Sequence, residues 1–180
     1  MEMCPPEAMS GMDAGMMEAM PPYAIDGMSP MHMEMCPPEA MGGMDASMIS
    51  HMSPDLMDGM SPMHMEMCPP DACAGMDAPM MEAMPPLAMG GFEAGMMEAM
   101  PPEAMAGFDA AMMSHMPPEA MGGFDIGMME VMPPEAMAGF DASMMQMMPP
   151  EAMAGMGPDH MANCPPEAMG GCCLLYTSPS

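Results

Sequence analysis

Not one lysine or arginine occurs in the 180 residues, against 26 aspartates and glutamates. That absence excludes nucleic-acid binding, because affinity for a phosphate backbone comes from cationic side chains that displace its counterions. It disfavours anionic lipid surfaces for the same reason, and no phosphate loop ending in lysine can be built. Tryptophan is missing, and β-branched and aromatic residues are scarce, which argues against a β-solenoid. No apolar run reaches the roughly 18 residues of a membrane span, since Pro, Gly or an acid interrupts every few positions. The opening residues MEMCPPEAMS have neither the basic stretch nor the apolar core of a signal peptide.

What fills the space is methionine, 45 residues of the 180, on a chain of formal net charge −26. Such a charge suits divalent cations, basic proteins or water as partners. A core of this composition would be built from flexible, polarizable thioethers.

The chain is periodic. Proline pairs or their equivalents start at 5, 21, 37, 53, 69, 85, 101, 117, 133, 149 and 165, at a constant interval. A 16-residue period covering the whole chain is the mark of a repeat architecture. With the first proline as position 1, position 2 is always Pro and position 7 always Gly. Position 5 is Met, Ile or Cys, position 8 Met, Phe or Cys, and position 13 Met or Ile. Polar variety gathers at positions 14 and 15, as in Glu98–Ala99, Ser114–His115 and Gln146–Met147. Apolar identity is thus kept where a core needs it.

Residues 1–4, MEMC, reproduce positions 13–16 of a unit, as in Met33–Cys36. At the other end Cys173–Ser180, CLLYTSPS, leaves the pattern. All eight residues resemble the translation of a transposase adapter used in sequencing-library preparation, and the resemblance implies an artefactual tail. The array is therefore read as residues 1–172, one domain of about eleven units truncated at both ends. The 16-residue unit itself resembles no characterised repeat family.

The unit PPEAMAGFDAAMMSHM, residues 101–116, predicts two very short helices. Pro101 reads as a cap, Pro102 as the first helical residue and Gly107 as the terminator. Asp109 caps a second helix over AAMMSH, and Pro117 forces Met116 out of it. Neither helix is stable alone. Apolar positions 5, 8, 12, 13 and 16 must be buried by neighbouring units, so the fold class is an all-α solenoid. One unit per layer at about 8–10 Å gives a rod of about 100 Å. The alternative is a largely disordered low-complexity chain, since Pro and Gly number 26 and 19.

Acids recur at position 3 (Glu103, Glu119, Glu135, Glu151) and position 9 (Asp109, Asp125, Asp141). They read as complements of helix N-termini. Stacked rows of them, about a helix spacing apart, are too widely set to share one calcium ion. Ser50–His51 and Ser114–His115 put Ser beside His, but adjacent helical side chains diverge and no third group orients them. No catalytic signature results.

One linked substitution remains. Three units carry Pro at position 10, His at 12 and Cys at 16, where the seven other complete units have Met at both 12 and 16. His32, Met33 and Cys36, then His64, Met65 and Cys68, then His160, Met161 and Cys164 form the candidate metal sets. Thiolate, thioether and imidazole favour Cu(I), with Zn²⁺ second. Asp26–Cys36 and Asp58–Cys68 are identical, so the first two sets are one duplicated observation. Cys4, Cys36 and Cys68 sit two units apart, and a disulfide needs Cα atoms within about 7 Å. These thiols are expected free within one chain, suiting a reducing compartment, a metal or cross-linking between chains; Cys68 and Cys73 are left open.

The leading expectation is a non-enzymatic, acidic, Met-rich scaffold or interaction surface, meeting another protein or copies of itself. The alternatives are a Cu(I)-binding array through the nine residues above, and a sulfur store or oxidant sink.

Overall fold

The structure, a computed structural model, describes residues 5–170; Cys4, Cys172 and the tail at 173–180 lie outside them. Each 16-residue unit is two short helices with the boundaries that its capping residues predict. In the unit 101–116, Pro101 is extended (φ −62°, ψ 135°) and a helix runs Pro102–Gly107. Phe108 is again extended, Asp109 caps, the second helix runs Ala110–His115, and Met116 leaves it at φ −74°, ψ 133°.

The first helix is 3₁₀ in every unit up to Pro134–Gly139, tighter than the sequence led one to expect; Pro150–Met153 and residues 166–170 are α in its place. Its bonds close over three residues: Ala104 N–H donates to Pro101 O at 3.0 Å and Phe108 N–H to Met105 O at 3.1 Å. A proline that starts the turn and an extended corner soon after it leave room for little else. The second helix is α, with the Asp109 carboxylate accepting the Met112 N–H at 2.8 Å.

Helices stack on partners three elements away. Ala78–Ala83, for example, packs between Pro54–Gly59 of the preceding coil and Pro102–Gly107 of the next. Two elements make a unit and three make a coil. The molecule is a three-sided helical solenoid of about seven coils, roughly 60 Å long at a helix spacing of about 8–10 Å. This corrects the layer assumed from the sequence: one coil holds one and a half units, not one.

The mismatch between unit and coil organises the core. On every side of the prism the first helix of one unit lies against the second helix of another, so position 5 stacks against position 13. Met33, Met57, Met81, Met105 and Met129 form one such column, each buried to within 1%. Position 4, nearly always Ala, stacks against position 12, Met or His. The column Ala40, His64, Ala88, Met112, Ala136, His160 therefore alternates small and large, and all six are buried. Corners are filled by positions 8 and 16, as in Cys68, Phe92, Met116, Phe140 and Cys164, all buried. Sulfur alternating with aromatic rings is a favourable packing for thioethers. Burying one such side chain stabilises by about 1.5–3 kcal/mol.

The invariant glycine is not there for a left-handed conformation, since no described residue has positive φ. It is there for close approach. A Cβ on Gly107 would overlap the carbonyl oxygen of Ala78 and come within 2.8 Å of Met81 Cβ. Gly43, Gly59, Gly75, Gly91, Gly123 and Gly139 meet the equivalent carbonyl of the preceding coil in the same way. The Cα hydrogen then points at that oxygen, a Cα–H···O contact. Gly11, in the first coil, has no neighbour within 4 Å, as this explanation requires.

Adjacent glycines give a clean test. At Gly123 a Cβ meets the Ala94 carbonyl and Met97 Cβ, whereas at Gly122 the nearest atom is Ala94 Cβ at 3.7 Å. Gly123→Ala should lower stability by about 2 kcal/mol or more, as steric intrusion into packed backbone does. Gly122→Ala should be neutral or stabilise by about 0.5 kcal/mol through the unfolded state. Urea denaturation of the two variants decides it.

Candidate functional site: histidine bridges and a thiol pair

The capping chemistry of the units explains where the histidines go. In six described units Asp at position 9 (Asp13, Asp45, Asp77, Asp109, Asp125, Asp141) accepts the N–H of position 12. Where position 9 is Ser29, Ser61 or Gly157, a bond of the opposite polarity appears, and at Ser61 it joins the ordinary one, the hydroxyl accepting the His64 N–H at 3.4 Å. The imidazole at position 12 accepts the N–H of position 9, at 3.0 Å for His32, 3.1 Å for His64 and 3.0 Å for His160. Ser29 and Ser61 hydroxyls also reach the ring Nδ1, both at 2.7 Å.

The other ring nitrogen crosses to the previous coil. His64 Nε2–H donates to the Cys36 carbonyl at 2.8 Å, and His160 Nε2–H to the Met132 carbonyl at 2.9 Å. A carbonyl can only accept, so the proton sits on Nε2 and Nδ1 is the acceptor. Both nitrogens of His64 and of His160 are engaged, and each ring ties its own helix start to the neighbouring coil. The histidine of the linked substitution thus has a structural role, as a cap and as a bridge between coils. The cysteine that accompanies it has none here: His160 bridges to Met132 without any thiol.

The nine candidate ligands are distributed, not convergent. His32 lies on one side of the prism, while His64 and His160 share another side, four coils apart. Met33 and Met65 are core residues, Met161 is 41% exposed, and Cys36, Cys68 and Cys164 are buried corners. Among the described residues no three His, Cys, Asp or Glu come together as a cation site. An open hollow of about 460 Å³ lies beside His32, lined by Asp26, Gly27, Met28 and Ser29. The acids divide too. Successive position-3 carboxylates fall on different sides, so Glu103 and Glu151 share a side two coils apart, wider than the single-row spacing expected from sequence. Ser50 and His51 both donate to the Ser47 carbonyl of their own helix, as Ser114 and His115 do to Ala111.

Cys36, Cys68, Cys73 and Cys164 are buried and outside any disulfide. Cys68 and Cys73, which the sequence left open, are both buried free thiols. The neighbouring Cys73 thiol lowers the pKa of Cys68 against the opposing effect of burial. The pKa of Cys73 is raised by the neighbouring Cys68 thiol, with burial and the charges of Cys68 and Glu93 acting in the same direction. Cys36, whose equivalent neighbour is Met41, has its thiol pushed up to about 11 by burial. A cysteine at position 5 directly after a unit ending in cysteine was the signal in the sequence.

No family model, curated protein or solved structure matches the chain.

Two outcomes are expected. His64→Ala should cost about 2–4 kcal/mol in urea denaturation, by orphaning the buried Cys36 carbonyl and leaving a cavity, while exposed His115→Ala stays within about 0.5 kcal/mol. The Cys36 thiol keeps its proton when folded and loses it above its ordinary value of 9.0 when unfolded. Its contribution is therefore whole below that pH and fades as pH rises toward about 11. Cys36→Met should flatten the fall of the urea midpoint over that window.

Proposed function

We propose that this chain is a non-enzymatic scaffold: a stiff, acidic, three-sided spacer whose outer residues meet a protein partner or further copies of the chain. The carrying observation is the division of labour within each unit. Positions 4, 5, 8, 12, 13 and 16 are largely consumed by the core, and the polar variety at positions 14 and 15 lies outside it. A row of outward residues along one side samples every third helix, so an extended partner would read steps of one coil. No helix among the described residues is long and apolar enough to cross a membrane.

The Cu(I) proposal for His32, Met33, Cys36 and their two equivalents requires the imidazoles to give up hydrogen bonds that hold helix starts and join coils. The oxidant-sink proposal requires accessible thioethers, and most of the methionines at positions 5, 12 and 13 are buried. The scaffold proposal asks nothing of either.

Deleting residues 85–132, three units and two whole coils, should leave helix signal per residue unchanged and lower the melting midpoint. A shuffled chain of equal composition should lose both helix and melting transition. Equal behaviour of shuffled and native chains would reduce the protein to its composition and end the scaffold proposal.

A further inference from the structure

The winding brings together outward side chains that the repeat unit keeps apart. The helix Pro62–Met67 exposes Met63 at 61% and Met67 at 44%. Stacked on it is Pro86–Gly91, which exposes Leu87 at 65%. Every other unit except that of Tyr23 has an acid at position 3, where Leu87 stands. The next helix on the same side, Ala110–His115, exposes Ala111, Ser114 and His115. Glu66 is the one acid carried by these three helices.

The array supplies its own control. Asp26–Cys36 and Asp58–Cys68 are identical, so Met31 and Met35 repeat Met63 and Met67 and are exposed as they are. The helix stacked on Pro30–Met35, however, is Pro54–Gly59, which exposes Asp55 and Asp58. The same methionines meet acids on one side of the prism and leucine on another. Only the second copy continues into an apolar patch.

Acids ring that patch. Glu39 lies on the helix stacked before it, Glu66 beside its methionines, and Glu93 at the corner after Leu87. The position-9 aspartates spend their carboxylates on caps, whereas Glu93 makes no cap hydrogen bond. A contiguous exposed apolar patch with a polar rim marks a contact with another molecule. A second copy of the chain would bring the same acids and no cation, so repulsion opposes it.

We propose that Met63, Met67 and Leu87 form the docking site for a basic amphipathic helix of another protein. Its apolar side chains fill the patch, and flanking lysines or arginines meet Glu39, Glu66 and Glu93. This rests on the scaffold reading and names the chemistry of its partner. Residues seven apart on a helix are about 10 Å apart. Successive coils lie about 8–10 Å apart, so one helix laid along the rod sets one anchor at Met63 and the next at Leu87. Apolar burial supplies the affinity, and charge supplies orientation and encounter rate.

The test is selection from a displayed library of random helical peptides on the immobilised full chain at physiological salt. Polarisation titration of the enriched peptides follows. Leu87→Glu restores the residue that position 3 carries in most units, and helix signal and melting confirm that it folds. Enriched peptides should carry apolar residues at helical spacing among lysines or arginines. Leu87→Glu should weaken them by about tenfold or more. Added negative charge alone would strengthen a cationic peptide, so a loss isolates the apolar contact. Tyr23→Glu makes the same charge change on another side and should leave affinity unchanged. Basic peptides without apolar anchors, undiminished binding to Leu87→Glu, equal loss in Tyr23→Glu, or no enriched peptide at all would overturn the proposal. None of those results touches the comparison of native and shuffled melting on which the scaffold reading stands.

Discussion

The fold depends on one contact: an invariant glycine pressed against a carbonyl oxygen of the coil before it. Because a Cβ at Gly107 would occupy the space of the Ala78 oxygen, this approach is open to glycine alone. It sets how closely coils stack, and so how much of each methionine is covered. Helices of four to six residues have no stability of their own, so the array stands through contacts between coils rather than within them.

From that contact follows the use made of two unequal periods. Each coil takes up one and a half units, so a helix never stacks on its own equivalent; the first helix of a unit always faces a second. Small position 4 then lies opposite large position 12, which is why Ala40, Ala88 and Ala136 are wholly buried between His or Met neighbours. A unit stacked in register on its own copy would set Met on Met and Ala on Ala, leaving alternate layers crowded and empty. The same winding spreads equivalent acids over three sides, which keeps neighbouring carboxylates of like charge apart on a chain with no lysine or arginine to offset them.

Histidine and cysteine enter this lattice as variations on its caps and corners. His64 reverses the cap that Asp supplies elsewhere and adds a bond to the previous coil, so its chemistry is absorbed by the architecture. Cys68 and Cys73 are different. A lone corner cysteine such as Cys36 is a buried thiol whose pKa burial raises, and Cys73 adds a second buried thiol at position 5 of the unit that follows Cys68.

Much of the local structure was legible without coordinates. Pro, Asp and the residue before Pro restrict their own backbones, so the bounds at Pro102, Gly107, Asp109 and Met116 follow from residue type. The class of fold followed as well, because helices this short must be buried by neighbours. The 3₁₀ form of the first helix was not read from the sequence and came with the structure. What only the tertiary structure decided is the winding. Whether a coil closes after two helices or three depends on the angle turned at each extended corner, which the sum of packing contacts fixes and no single residue encodes. With that angle came the three sides, the burial of position 4, the reason for the glycine, and the bridges from His64 and His160.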